Sequence, residues 1–355
     1  MPTPPDDRPQ GTGGRIAAVA RRAGQSWKWL KWPVALGILW WLYFKNQEHL
    51  EKLAGAPKNW GQAGIAFALI AGASLVTFLR WYLLVRAQDF PFRLRDAVRY
   101  GFVGLVAAYI GGTVGGDVFK AYLLAKDQSS RRSVAAATVL LDRILGLLAL
   151  FMVGVLALLT PHSFPNSPEI RANSAVLWIG TLGGLAGLTL MLIPGTTNWP
   201  IVRRLPGLPV VGHVVSELMH GVQLYQTRPR AVIGALGLSL IGHAGLITGF
   251  YFCAQAVEQP WIPNLTAHFY FMPNAELFGV LSMTPAGVGA LEWAIQKAYV
   301  LLKPETIAVA SAEAAGFTAA IVFRVVSVAV AAIGGIYYVA SRREISAAMH
   351  ESARS

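Results

Sequence analysis

Apolar residues run along this chain in long blocks rather than in short alternations. Six of the blocks, at about 27–44, 61–85, 134–160, 174–194, 231–255 and 306–340, read as full membrane spans. A helix needs about 20 mainly apolar residues to cross a hydrocarbon layer ~30 Å thick. Two further apolar regions, about 97–120 and 267–303, are interrupted by glycines and a carboxylate. The first holds Gly111-Gly112-Thr113-Val114-Gly115-Gly116-Asp117, and the second Thr284-Pro285-Ala286-Gly287-Val288-Gly289-Ala290-Leu291-Glu292. Backbone broken at membrane depth survives only where protein buries it or where it lines a polar cavity. The pattern therefore predicts an all-α polytopic membrane protein: about six transmembrane helices plus two re-entrant helical hairpins.

Charge placement orients these elements. Lys and Arg crowd the segments 1–31, 86–99, 120–132, 195–230 and the C-terminal tail, and are sparse in 45–60, 161–173, 256–266 and 297–305. Cytoplasmic segments carry the excess of basic residues, which puts the N- and C-termini in the cytoplasm. The 97–120 region has Arg93, Arg95 and Arg99 before it and Lys120, Lys126, Arg131 and Arg132 after it. Both of its ends are drawn to the cytoplasm, so it should enter and return. Both ends of the second hairpin fall outside, or Arg342 and Arg343 would be left there. Hairpins entering from opposite faces are the mark of an inverted-topology repeat.

Composition narrows the class. Charged residues make up 14% of the chain and the mean hydropathy is +0.48, far from the ~25% charged content of a soluble domain. The polar, basic stretch 1–26 reads as a disordered tail, residues 27–343 as one transmembrane domain, and 344–355 as a cytoplasmic tail. The run from Trp32 to Phe44 reads as an uncleaved span, because a charged segment separates it from the cleavage-like Ala54-Gly55-Ala56. Pro200, Pro206 and Pro209 precede a mildly amphipathic stretch read as a cytoplasmic interfacial helix. The single cysteine, Cys253, excludes an internal disulfide. His213, His220 and His268 lack a ligand spacing with nearby acids, so no metal is expected. There is no P-loop, no cofactor motif and no sign of a nucleic-acid partner.

The candidate chemistry lies in charges within the apolar blocks. Asp142 and Arg143 sit inside Ala135 to Leu159. Helix neighbours do not face each other, so each should pair with another helix. Asp117, Glu276 and Glu292 are the available acids, and Arg80 and Arg324 the available bases. Charges in spans are costly and usually line a pathway or polar cavity. Arginine stays charged when buried and holds a phosphate or carboxylate in two-point contacts. Half-helix N-termini would add N–H groups, and glycines would let an anionic headgroup approach the backbone. The acids can balance the arginines or carry protons. His243 reads as a packing or hydrogen-bonding residue. Gly183-Gly184, Gly187 and Gly334-Gly335 read as small-residue faces for helix packing.

Taken in order, Gly115-Gly116-Asp117-Val118-Phe119-Lys120, Leu141-Asp142-Arg143-Ile144-Leu145-Gly146-Leu147, the second broken segment and Arg324 resemble one family. This is the flippase-like transmembrane family named for lysylphosphatidylglycerol synthase, and the likeness covers about residues 60–343. The resemblance implies an inner-membrane bacterial protein that handles phospholipid, in relatives an aminoacylated one moved between leaflets. Carried over residue by residue, the matching positions are Gly115, Gly116, Asp117, Asp142, Arg143, Gly287, Gly289, Glu292 and Arg324. Lys120 stands where the family often has arginine. Ala290-Leu291 precedes Glu292 where a valine–arginine pair is common. No aminoacyl-transferring or glycosyltransferase domain is expected within these residues.

The resulting expectation is a lipid translocase that does not use ATP. Its partners are a membrane lipid headgroup and the bilayer, with homo-oligomerisation left open. The headgroup would lie between the two hairpins, held by Arg143 and Arg324. Two readings from other classes stand beside it. One is a membrane-embedded lipid-modifying enzyme using Asp117 and Glu292 as acid and base. The other is an accessory scaffold whose buried charges serve assembly alone.

Overall fold

A computed structural model gives the architecture. The described residues are Phe44 and 55–352, apart from 112, 128–130, 162–163, 197–198, 200–218, 220–221 and 283. The predicted first span, the N-terminal tail and most of the predicted interfacial helix lie outside them. Nine long helices are described: α1 (Trp60–Arg86), α2 (Leu94–Gly111), α3 (Thr113–Asp127), α4 (Arg132–Leu158), α5 (Pro168–Leu192), α6 (Pro229–Gln255), α7 (Leu265–Leu281), α8 (Ala290–Leu302) and α9 (Val309–Ser352). Five are long and apolar enough to cross a membrane: α1, α4, α5, α6 and α9 over Val309–Ile336. They coincide with five of the six predicted spans. The last helix continues to Ser352, so the backbone of the predicted tail is helical for most of its length.

Local chemistry sets several helix starts. Asn59 accepts a bond from the Gln62 amide at the head of α1, and Asn264 does the same for Ala267 on α7. Ser167 caps α5, with Pro168 in the first turn. These side chains satisfy amides that a helix start leaves without a partner.

The tightest pairing is α1 against α6, antiparallel. At one end the Asn59 amide bonds the Ala256 carbonyl at 2.8 Å. At the other, Arg228 clasps Asp89 through two nitrogens at 2.7 and 2.8 Å. Between them, Gly242, Gly245 and Gly249 face Val76, Ala73 and Ile70. Small residues at such a seam let backbones approach, the main route to helix association where both sides are apolar.

The two interrupted regions fold as helical hairpins. In the first, α2 and α3 run back to back, so closely that a methyl group on Gly116 would lie 2.4 Å from the Gly104 carbonyl oxygen. The break falls between Gly111 and Thr113, so Gly115-Gly116-Asp117 lies within α3 and not at the turn. In the second, α7 and α8 flank a short 3-10 turn, Pro285–Gly287. Gly279 on one arm meets Gly287 and Leu291 on the other.

The hairpins open toward opposite ends of the bundle. The first opens where α1 ends and α4 begins, around Trp81, Val85, Phe92, Ala97, Leu124 and Val134. The second opens where α5 begins, with the Tyr270 hydroxyl donating to the Ile170 carbonyl at 3.0 Å. Its tip reaches the arms of the first.

The glycines read as packing faces divide. Gly180 and Gly184 seat Phe151 and Leu148 of α4, and Gly334 seats Phe102 of α2, whereas Gly183 and Gly187 meet nothing within 4 Å. This division predicts opposite outcomes. Gly116→Val should push the first hairpin's arms apart and cost about 1–3 kcal/mol or more. Gly183→Ala should be neutral or slightly stabilising, since alanine is the better helix former by up to about 1 kcal/mol. Thermal melting of the two purified variants in detergent tests this, and equal midpoints would contradict the hairpin packing.

Candidate functional site

Asp142 and Arg143 are consecutive on α4, so they point in different directions and take different partners. Asp142 is only 1% exposed. Arg80 of α1 donates its Nε to Asp142 Oδ1 at 2.7 Å and an Nη to Ser239 Oγ of α6 at 3.0 Å. Lys120 of α3 lies 3.6 Å from the other carboxylate oxygen and 3.9 Å from Asp117. The Lys120 ammonium also sits 4.8 Å over the Trp81 ring. That indole donates to Thr138 on α4. A fully buried carboxylate is thus held by two cations from two other helices.

The local sequence makes room for this. A methyl group at Gly146, one turn beyond Asp142, would lie 2.9 Å from an Arg80 nitrogen. Gly104 on α2 likewise leaves space for the Lys120 stem. Lys120 was counted among cytoplasmic charges by segment. Its side chain is instead buried at the cluster, because α3 extends to Asp127 and carries it inward.

Arg143 pairs with Asp117 of α3. Its side chain is 46% exposed, against 7% for Arg80 and 9% for Lys120. Arg143 is therefore the cation of this cluster with free reach for a ligand.

The cluster forms one wall of a cavity of about 540 Å³ that touches α1, α2, α3, α4, α6, α7 and α9. Arg80, Asp117, Lys120, Asp142 and Arg143 line it, together with His243 and Glu276. Ile144, Leu147, Val280 and Leu281 also line it and are 39–68% exposed. The cavity is thus lined both by charged side chains and by accessible apolar side chains of α4 and α7.

A second charged cluster lies at the tip of the other hairpin. Arg324 of α9 donates to Glu292 Oε1 at 2.7 Å and to the Ala286 carbonyl at 2.9 Å. Glu292 Oε2 accepts from the Gly289 amide at 2.7 Å. Gly287 and Gly289 have φ of +68° and +84°, open to glycine at no steric cost. Ala286 has φ +48°, a conformation that costs an L-residue roughly 1–2 kcal/mol. Arg324 stitches this strained turn to α9. The Tyr109 hydroxyl of α2 reaches the same guanidinium.

The site residues proposed from sequence therefore fall into two groups. Asp117, Lys120, Asp142 and Arg143 converge on the cavity. Glu292 and Arg324 form a separate pair that does not line it. Gly116 packs against Gly104 and Ala108, and Gly287 against Gly279, while a methyl group at Gly115 would lie 3.8 Å from the Ala107 carbonyl oxygen. Their close contacts are with the chain itself. The expected role of Gly289 as a headgroup-approach site differs too, since its amide already holds the chain's own Glu292. Arg324 did not join Arg143 across one cavity because Glu292 and Ala286 engage it at the turn.

The sequence reads His243 as a packing or hydrogen-bonding residue and does not place it beside Glu276, 3.8 Å away in the structure. A single helical histidine gives no sign of a facing acid 33 positions away. Among the described residues, no three His, Cys, Asp or Glu are grouped to hold a metal. Breaking one side of a buried ion pair costs about 3–5 kcal/mol. Asp142→Ala should therefore lower the melting midpoint sharply, and Lys120→Met less, since its contact is longer. Wild-type melting of Asp142→Ala would show that the cluster does not hold these helices.

The chain matches the family described as "Lysylphosphatidylglycerol synthase TM region" over residues 28–335. No curated protein and no solved structure gave a match. A match over most of the chain, with an all-helical membrane-type bundle beneath it, makes this protein a member of the lysylphosphatidylglycerol synthase transmembrane-region family.

Proposed function

We propose that the protein is a lipid translocase that moves a phosphate-bearing or aminoacylated lipid across the bacterial inner membrane without ATP. The single observation that carries this reading is the cavity's two-part lining. Charged side chains line it, together with exposed apolar side chains of α4 and α7. That lining suits a molecule with a polar head and hydrocarbon tails. Arg143, half exposed and held among the described residues by Asp117, is the group to receive a phosphate oxygen. Asp117 would release it, or share it, when the headgroup enters.

On this reading α2–α3 and α7–α8 are re-entrant hairpins. Their arms of 13 to 18 residues suit partial penetration. Three candidate spans, α4, α5 and α6, separate the hairpins, so they enter from opposite faces as an inverted repeat. Both termini then lie in the cytoplasm. Rocking of one hairpin and its partners against the other would give alternating access.

The enzymatic alternative has less support. Asp117 and Glu292 belong to different ion pairs, and only Asp117 lines the cavity.

Two outcomes follow in proteoliposomes carrying acyl-labelled phosphatidylglycerol. A charge-assisted hydrogen bond contributes about 1.5–3 kcal/mol. Arg143→Ala should therefore slow leaflet exchange by about tenfold or more, with Arg143→Lys in between because the fork is lost and the charge kept. Unchanged exchange in Arg143→Ala, at equal protein incorporation, would refute the proposed headgroup site. Arg324→Ala should act differently, loosening the 285–287 turn and lowering the melting midpoint together with the rate. A stable Arg324→Ala protein with no exchange would move the headgroup site to the second cluster.

A further inference from the structure

We propose that His243 and Glu276 hold one exchangeable proton on the cavity wall, and that this proton is linked to entry of an anionic headgroup. The inference rests on the translocase reading for its consequence, and on geometry alone for the proton site.

Glu276 differs from the other acids of the bundle interior. Asp142 has Arg80 and Lys120, Asp117 has Arg143, and Glu292 has Arg324. Glu276 of α7 faces His243 of α6, with Oε2 3.8 Å from Nδ1. Among the described residues, neither His243 Nδ1 nor Glu276 Oε1 has a hydrogen-bond partner, although both atoms are out of solvent. The charged groups on the helices around them are engaged elsewhere. Arg80 on α1 and Asp142 and Arg143 on α4 belong to the first cluster, and Glu292 and Arg324 on α8 and α9 to the second. Lys297 of α8 pairs with Glu313 of α9 at 3.5 Å. On α5, Glu169 and Arg171 flank Ile170, which meets Tyr270 more than a turn from Glu276. On α7 itself, His268 bonds Tyr299.

Nδ1 of the His243 ring faces the carboxyl group at 3.8 Å and has no hydrogen-bond partner among the described residues. A neutral imidazole protonated on Nε2 presents a lone pair there. An ionised Glu276 would then set two acceptors against each other in a low-dielectric wall. One proton resolves this, as O–H pointing to nitrogen or N–H⁺ pointing to oxygen. Loss of that proton to cavity water leaves the pair with one negative charge. Asn274 Nδ2, on the turn after the helix-breaking Pro273, is also buried without a partner. Unsatisfied polar atoms gathered where α7 is weakened fit a segment that shifts as the proton comes and goes.

The charge balance supplies the link. Among the cavity-lining charges, Arg80, Lys120 and Arg143 exceed Asp117 and Asp142 by one. With the pair protonated the cavity is positive by one charge. With the proton gone, Glu276 cancels that excess. An anionic headgroup therefore binds better to the protonated form, and by reciprocity its binding favours proton uptake. Lipid and proton move in the same direction.

The test uses proteoliposomes with acyl-labelled phosphatidylglycerol and an imposed gradient of about one pH unit. That gradient can bias one lipid per proton by at most about tenfold. Wild-type protein should move lipid faster from the acidic to the alkaline side. Glu276→Gln should move it at one rate whichever way the gradient runs. A retained bias in Glu276→Gln, or none in wild type that moves lipid, would overturn the proposal. Infrared difference spectra of the same samples, taken across pH, decide the proton site even if no lipid moves, an outcome that would defeat the translocase reading alone. A titrating carboxylic-acid band lost in Glu276→Gln and displaced in His243→Gln supports the site. Absence of that band from wild type overturns it.

Discussion

One carboxylate, Asp142, governs the arrangement of this bundle. It sits almost wholly buried in a helix otherwise made for hydrocarbon surroundings, where an unpaired charge would be prohibitively expensive. Arg80 and Lys120 must reach it, and they come from α1 and α3. Three elements distant in sequence are thereby drawn to a single point. Gly146 and Gly104 exist where larger residues would obstruct those two side chains. Because Arg80 and Lys120 engage Asp142, its neighbour Arg143 has, among the described residues, Asp117 as its ion-pair partner and stays accessible. Structural and candidate functional charges are thus separated by one residue on one helix.

The same construction occurs twice. In each hairpin an acid near the start of the second arm pairs with an arginine on the next long helix: Asp117 with Arg143, and Glu292 with Arg324. The two pairs differ in their surroundings. The first opens onto the cavity. The second closes on itself, with Glu292 occupying the N-terminus of α8 as the internal anion that a helix start attracts. Arg324 then holds a turn strained at Ala286. On the proposed function, an ion pair that receives a phosphate in the first hairpin has a counterpart in the second that acts as a clasp.

Much of this was legible from the chain. The apolar block lengths located α1, α4, α5, α6 and α9, and the glycine breaks located both hairpins. The rule that adjacent helical residues diverge correctly sent Asp142 and Arg143 to other helices. What a single sequence lacks is the identity of the facing neighbour. Gly115-Gly116-Asp117 looked like a broken backbone, yet it is helical, because glycine there serves contact with Gly104 and Ala108 and not a turn. Lys120 looked like a loop charge because periodicity did not reveal how far α3 extends. His243 and Glu276 are ordinary singly, and only the packing of α6 on α7 makes them a pair.

On the proposed function, Arg143 receives the headgroup of a lipid whose tails leave between α4 and α7. An experimental structure of the protein in nanodiscs of phosphatidylglycerol addresses it most directly. The account predicts a lipid phosphate within hydrogen-bonding distance of the Arg143 guanidinium, with Asp117 displaced from it. The acyl chains should run past Ile144, Leu147 and Leu281 into the surrounding bilayer. Lipid ordered elsewhere, with Arg143 still closed on Asp117 and only water in the cavity, would contradict it.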